Sequence, residues 1–103
     1  LPPHAARRAR RALHIADLVE RRTGTVGVSV GKGYVIELCV RGLSPPELLH
    51  VFLHELAHTA SLSVGHTNEH ALFEQTLQQS ARNAGHKVSP PLFALCNLSG
   101  DKH

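Results

Sequence analysis

The stretch that decides the fold spans residues 44–70 and reads SPPELLHVFLHELAHTASLSVGHTNEH. Ser44 can cap the free amides at the start of a helix, Pro45 suits the first helical position, and Glu47 completes a capping box. Apolar residues then recur at the spacing of one helical face, at Leu48, Leu49, Phe52, Leu56 and Ala60. We therefore expect a helix that begins at Ser44, packs on this apolar face and frays over residues 61–65.

The same stretch contains the pattern His-Glu-x-x-His at residues 54–58. His54 and His58 are four residues apart, so their imidazoles lie one turn apart on one helical face and can bind a single ion. This arrangement is typical of a peptidase Zn²⁺ site, in which Glu55 acts as general base on the water that the metal activates. The alternative is a pair of exposed histidines on an amphipathic helix. Because a capped helix with an apolar opposite face is the context that the motif requires, we predict a catalytic zinc.

A catalytic zinc needs a third protein ligand and one open position. The candidates are His50, His66, Glu69, His70 and Glu74. A straight helix cannot easily bring a third turn to one ion, so we interpret His50 as a neighbour of the site or as an exposed residue. His70 and Glu74 lie within the next predicted helix, and either could face the site. We favour His66, because the glycine before it can turn the chain back toward the metal.

The flanking sequence predicts two more helices and a β-hairpin. An amphipathic pattern over residues 3–22 predicts an N-terminal helix that stops before Gly24. Its inner face comprises Ala5, Ala9, Ala12, Leu13, Ala16 and Val19, and its outer face comprises Arg7, Arg10, Arg11 and Arg21. Residues 26–30 (VGVSV) and 34–40 (YVIELCV) are β-branched runs on either side of a glycine-rich turn, which indicates a hairpin.

A final helix is expected from Thr67 to Ala84, ending at Gly85 and followed by an extended tail. Its inner face comprises Phe73, Leu77, Ala81 and Ala84.

Composition limits the classes of function. A chain of 103 residues with 42% hydrophobic and 18% charged residues fits one folded domain, residues 1–103. It begins at Leu1 and contains no Met, so we expect it to be excised from a longer protein. The net charge of +3 permits an anionic partner, and we expect no membrane span or signal peptide. Cys39 and Cys96 lie far apart, so we expect neither a disulfide framework nor a cysteine-rich zinc site, and a reducing compartment.

Residues 54–78, HELAHTASLSVGHTNEHALFEQTLQ, resemble the core of the WLM (Wss-like) metalloproteases and of their SprT/Spartan-type relatives. In those families a Gly-His or Pro-His after the His-Glu-x-x-His pattern provides the third ligand, which matches Gly65-His66. The segments 31–42 (GKGYVIELCVRG), 44–58 (SPPELLHVFLHELAH) and 6–19 (ARRARRALHIADLV) resemble the family's strand, metal-binding helix and N-terminal helix. The resemblance covers roughly residues 5–85.

The resemblance implies a minimal zincin-like metallopeptidase of the α+β class, with Zn²⁺ on His54, His58 and His66 and with Glu55 as the catalytic base. It implies an endopeptidase that cuts proteins crosslinked to or bound on DNA, with ubiquitin-like modifiers engaged through regions outside the domain. It also implies an intracellular location, nuclear if the protein is eukaryotic.

Other features have weaker interpretations. The arginine face, Arg7, Arg8, Arg10 and Arg11, could track DNA phosphates or could simply be solvated. A substrate strand could pair with an exposed hairpin edge, for which YVIELCV is the candidate. Tyr34, the only tyrosine, is better interpreted as a half-buried strand residue than as an oxyanion donor. Cys96 could block the zinc as a thiolate, but packing is the commoner role of a lone cysteine.

Two alternatives to a DNA-related peptidase stay open. One is a zinc peptidase with unrelated protein substrates, and the other is a nucleic-acid-binding module with a structural zinc. Glu55 argues against the second alternative, because a structural site has no need of a base beside its ligands.

Overall fold

The computed structural model describes residues 1–31, 34–61 and 65–96. Within these ranges the chain forms α1 (Pro3–Ile15), β1 (Asp17–Glu20), β2 (Gly27–Val30), β3 (Val35–Leu38), a 3₁₀ turn (Val40–Gly42), α2 (Pro45–Ala60) and α3 (Asn68–Asn83). These elements confirm the predicted α+β class. No described helix is both long enough and apolar enough to cross a membrane.

The second helix, α2, lies at the centre and packs against α1, α3, β2 and β3. The predicted capping box is present, because the Ser44 hydroxyl accepts from the Glu47 amide and Glu47 Oε1 accepts from the Ser44 amide at 2.9 Å. The main core comprises Leu53, Leu56, Ala57 and Ala60 of α2 with Ala5, Ala9, Ala12, Phe73 and Val88. Leu49 and Phe52 pack against this core, and Leu48 packs against a second core beneath the sheet. The predicted apolar face of α2 is therefore confirmed.

The first helix is shorter than the sequence predicts. It ends at Ile15, and the backbone of Ala16 is already extended, with ψ of 134°. The chain continues into β1, which pairs in parallel with β3, and the Asp17 amide donates to the Tyr34 carbonyl at 2.9 Å. The prediction of a helix as far as residue 22 is wrong, because pairing with β3 satisfies the backbone groups that further helical turns would have used.

Only some of the residues predicted for the inner face of the first helix are buried. The predicted inner residues Ala5, Ala9 and Ala12 are buried. Leu13 is 58% exposed, however, and Val19 lies in the outer strand β1. Gly24 does not end a helix; it turns the chain between β1 and β2 with φ of 84°.

The sheet has the strand order β1–β3–β2. The two strands β2 and β3 form the predicted antiparallel hairpin, with Val28 opposite Glu37, although residues 32–33 of its turn lie outside the described ranges. Most of the YVIELCV run is β3, which is the central strand. The expectation that this run offers an exposed edge is therefore wrong, and β2 is the outer strand that lies over α2.

The third helix begins as the sequence predicts. The Thr67 hydroxyl accepts from the His70 amide at 3.2 Å, and the chain leaves the helix through Gly85, with φ of 94°. The inner face packs on the core through Phe73, Leu77 and Ala81. Ala84 is exposed, because it follows the last helical residue rather than facing the core.

The tail returns to the sheet and is covalently attached there. The Val26 amide donates to the Ala94 carbonyl at 3.0 Å, and the Cys96 amide donates to the Gly24 carbonyl at 2.6 Å. These bonds place Cys96 beside Cys39, which directly follows β3, and the two cysteines form a disulfide. The expectation of unpaired cysteines is therefore wrong. The cysteines give no support for a reducing compartment, and Cys96 has no free thiolate that could block a metal site.

Candidate metal centre

Three histidines converge beside the second half of α2. His54 and His58 project from consecutive turns of α2, and His66 approaches from the segment before α3. Their ring centroids are 4.9, 5.0 and 5.0 Å apart, which is nearly an equilateral triangle. The Nε2 atoms of His54 and His66 are 3.1 Å apart. Two nitrogens on one tetrahedral zinc are expected about 3.3 Å apart, so the geometry fits the predicted ligands.

Glu74 on α3 orients His54. The Nδ1–H group of His54 donates to Glu74 Oε1 at 3.0 Å, because an ionised carboxylate can only accept. The proton on Nδ1 leaves the lone pair of Nε2 directed toward His66. Metal-binding histidines commonly donate their other nitrogen to a carboxylate, which fixes the tautomer. Glu74 therefore orients His54, which is one of the three predicted ligands.

His70 lies beneath the site and is 2% exposed. Its Nε2–H donates to the His54 carbonyl at 3.0 Å, and its ring stacks on His58 with centroids 3.9 Å apart. His54, His70 and Glu74 also lie close enough to form a second possible metal group. That group would use His54 again, whose Nδ1–H already donates to Glu74, so we assign His70 to support of the first group.

Two of the other candidate ligands have different contacts. Glu69 accepts a hydrogen bond from the Ser61 hydroxyl at 2.7 Å and thereby links the end of α2 to α3. His50 lines the cleft beside the site, with its Nε2 atom 3.9 Å from Glu74 Oε2. His50 is thus a neighbour of the predicted ligands, as the sequence suggests.

The predicted base, Glu55, is 5% exposed. Loss of hydration raises its pKa to about 7; the charge of Glu74 raises the pKa further, and Arg21 opposes the change. Burial lowers the pKa of His54, and the adjacent Glu74 carboxylate opposes that change. A carboxyl group with a pKa near neutrality is well matched to accept a proton and return it.

Strand β2 passes directly over Glu55. A Cβ atom at Gly27 would collide with Val51 Cγ1 and would lie 3.4 Å from Glu55 Oε2. Only glycine lets the strand approach the helix so closely. The carboxylate of Glu55 therefore faces strand backbone at the floor of the cleft.

The cleft has a volume of about 750 Å³. Its lining comprises residues 25–29, His50, Val51, His54, Glu55, His58, Gly65, His66, Pro91, Leu92 and Ala94. Sequence reasoning found the α2 side chains and His66, but it missed the contribution of the tail, which carries no motif. Ser29 Oγ and His50 Nδ1 are buried in the lining without a hydrogen-bond partner among the described residues, and such groups could bond to a bound peptide.

The predicted arginine face is not uniform. Arg7, Arg10 and Arg11 are exposed on α1. Arg8 instead donates from both Nε and Nη2 to the Ala60 carbonyl, so it caps the C-terminal end of α2. Tyr34 is 60% exposed and does not line the cleft, so it is neither an oxyanion donor nor the half-buried residue that the sequence suggests.

No protein-family model, curated protein or solved structure matches this chain. The assignment of a function therefore depends on the residues and geometry described above.

Proposed function

We propose that the protein is a zinc-dependent peptidase in which His54, His58 and His66 bind the metal and Glu55 is the general base. The observation that carries this proposal is the convergence of three histidines beside the buried carboxyl group of Glu55, in an open cleft. Structural zinc sites usually have four protein ligands and are closed. Three histidines that open onto a cleft favour catalysis over a purely structural role.

A zinc ion held by His54, His58 and His66 would supply a Lewis acid for the substrate carbonyl and would lower the pKa of a water. Glu55 accepts a proton from the attacking water and returns it to the amine that leaves when the peptide bond breaks. Glu74 holds His54 in the tautomer that binds the metal. The arrangement of three histidines with Glu55 supports the proposal that the protein is related to the WLM and SprT-type zincins.

The substrate binds as an extended strand along the open edge of β2. In the observed register Val28 and Val30 direct their backbone groups toward β3, so Gly27 and Ser29 direct theirs toward the cleft. The Cys39 amide donates to the Val26 carbonyl at 2.9 Å, which agrees with this pattern. Main-chain pairing of this kind binds extended segments of many sequences.

We further propose that the substrates are proteins crosslinked to or bound on DNA, as the resemblance to WLM metalloproteases implies. The exposed Arg7, Arg10 and Arg11 support contact with phosphates. Ubiquitin-like modifiers would act through regions outside this domain. Protein substrates unrelated to DNA are the alternative.

The experiment that tests the peptidase is Glu55→Gln. The substitution removes the base but no ligand, so zinc should stay bound while peptide hydrolysis falls by roughly a hundredfold or more. Zinc content and cleavage of an unstructured peptide are measured on the same sample. Unchanged hydrolysis would exclude Glu55 as the base, and a zinc-loaded protein without any hydrolysis would favour a structural site.

The ligand set is tested by comparing His66→Ala with His70→Ala. Loss of His66 should release zinc, because it removes one of three ligands. Loss of His70 should leave zinc bound, although it removes a buried hydrogen bond and will lower stability. Zinc loss in His70→Ala alone, with folding confirmed by circular dichroism, would favour the group His54, His70 and Glu74.

A further inference from the structure

The C-terminal tail contributes apolar side chains to the cleft. Pro91, Leu92 and Ala94 face the same cavity as the predicted metal ligands and Glu55, and we call these three residues the tail wall. Leu92 lines the cavity and is 86% exposed, so the fold itself leaves most of its side chain uncovered. The tail wall is therefore a surface that a bound substrate can contact.

The tail wall lies beside the first turn of α2. The Ser89 amide donates to the Pro46 carbonyl at 3.2 Å, and the Leu92 amide donates to Glu47 Oε2 at 3.2 Å. Glu47 precedes His54 by roughly two helical turns, or about 10 Å along the helix axis. The cavity therefore extends from the predicted metal ligands toward the start of α2, and the tail wall forms that end of it.

A strand bound along β2 would pass the tail wall without being blocked by it. The Val26 amide donates to the Ala94 carbonyl at 3.0 Å, and the Val26 carbonyl accepts from the Cys39 amide at 2.9 Å. Because both backbone groups of a strand residue point to the same side, the tail pairs with residues 24–26 on the side of β3. The open edge of β2 stays available, so the tail wall can contact the side chains of a bound strand.

The cavity near the tail wall favours apolar groups. Val26 and the buried Val51 present hydrocarbon there, together with the tail wall. Among the described residues of the cleft lining there is no lysine, arginine or aspartate, and the single glutamate is Glu55. A charged substrate side chain would lose hydration at this end of the cavity without gaining an ion pair. An apolar side chain would remove its own surface and that of Leu92 from water.

We propose that Val51 and the tail wall form a specificity pocket for a large apolar side chain of the substrate, such as leucine or phenylalanine, with Leu92 as the specificity-determining residue. This inference rests on the proposed peptidase activity and adds the class of substrate residue that it selects. Because the tail wall lies on one side of the predicted metal ligands, the selected residue lies on one side of the cleaved bond.

The first test gives the zinc-loaded full chain a pool of unstructured peptides of varied sequence. Cleavage sites read by mass spectrometry should show leucine or phenylalanine enriched at one position within two residues of the cleaved bond. Alanine at that position of a preferred peptide should lower kcat/KM by about tenfold or more, because it leaves an apolar pocket unfilled. Cleavage sites without an apolar preference at any such position would overturn the proposal.

The second test is Leu92→Glu, with Phe93→Glu as the matched control. Leu92→Glu should lower kcat/KM for the preferred peptide by about tenfold or more and should shift the preference toward lysine or arginine, because it places a carboxylate beside the entering side chain. Phe93 is the next residue, is 77% exposed and lies outside the cleft lining, so the same charge there should leave the preference unchanged. An unchanged preference in Leu92→Glu, or the same shift in both variants, would contradict the role of Leu92.

The outcomes separate this proposal from the peptidase itself. If wild type shows no cleavage that depends on zinc and on Glu55, both proposals fail. If cleavage depends on both but shows no apolar preference, or if the preference survives Leu92→Glu, only the pocket fails. Zinc content is measured for each variant, and both variants should bind zinc as wild type does, because neither residue is a predicted ligand.

Discussion

His54 makes contacts in three directions, and each belongs to a different part of the site. Its Nδ1–H donates to Glu74, its Nε2 faces His66, and its carbonyl accepts from His70. The spacing of His54 and His58 is local, so the sequence alone predicts their shared face. Whether Glu74 or His70 fixes the tautomer depends on how α3 packs on α2. The two residues are one turn apart, so no local pattern distinguishes them.

Replacing Glu74 with Gln should weaken zinc binding by about 10- to 100-fold, the usual effect of losing such a partner. The amide has no negative charge and can donate as well as accept, so it no longer fixes the tautomer of His54. Affinity is measured by competition with a chromophoric chelator. Gln78→Ala is the control, because it removes only the donor to the other Glu74 oxygen, which lies at 3.1 Å, and should change affinity little. Equal affinities in all three proteins would contradict the role of Glu74.

Glu55 should make the zinc-free protein less stable as pH rises. Its folded pKa is raised from 4.5 to about 7, so the folded state binds more protons than the unfolded state between these values. The free energy of unfolding of wild type relative to Glu55→Gln should therefore fall from pH 4.5 to pH 7 and level off above pH 7. A rise in pKa of this size corresponds to a loss of about 3 kcal/mol in the free energy of unfolding of wild type relative to Glu55→Gln. Urea unfolding of both proteins across this range measures the difference, and a difference independent of pH would show that the pKa is not raised.

Among the elements, α2 and the hairpin are predictable and the end of α1 is not. The capping box at Ser44 and the glycine-flanked turn are local signals. Residues 17–20 retain a helical pattern of apolar positions, but they form β1 because β3 offers hydrogen-bond partners from a distant part of the chain. Arg7 and Arg8 cannot be distinguished by sequence pattern either. Because α1 packs on α2, Arg8 reaches the Ala60 carbonyl while Arg7 stays exposed.

Arg8→Ala should destabilise the protein by about 1 to 3 kcal/mol. The guanidinium donates to the last carbonyl of α2, and a cation at a helix C-terminus also interacts favourably with the helix dipole. Arg7→Ala is the matched control on the same helix, and because Arg7 is exposed, the change should stay within about 0.5 kcal/mol. Both values come from denaturant unfolding of the zinc-free proteins. Similar effects of the two substitutions would show that the hydrogen bonds to Ala60 contribute nothing.

At the scale of the whole molecule, the site is assembled from segments that no single motif contains. The proposed ligands come from α2 and from the segment before α3, the proposed binding edge is β2, and Pro91, Leu92 and Ala94 form one wall of the cleft. Cys39 and Cys96 are 57 residues apart and are brought together only when the tail pairs with residues 24–26. A sequence with two distant cysteines offers no local sign of that pairing, so neither the disulfide nor the position of the tail beside the cleft could be predicted.

The proposed interaction with DNA is also a property of the whole molecule, because it depends on the combined electrostatic potential of one surface. Replacing Arg7, Arg10 and Arg11 together with Gln should flatten the dependence of DNA affinity on salt, by at most about 0.9 in log–log slope for each duplex phosphate that is no longer neutralised. Arg8 stays unchanged, since its removal would disturb α2. Affinity is measured by fluorescence anisotropy over a range of salt concentrations, beside a control in which exposed Arg22 and Lys87 become Gln.

The triple variant should also cleave a DNA-bound protein more slowly but a free peptide at the wild-type rate, because α1 lies outside the cleft lining. If its salt slope equals that of wild type, or falls no further per charge than in the control, α1 is not the DNA-binding surface.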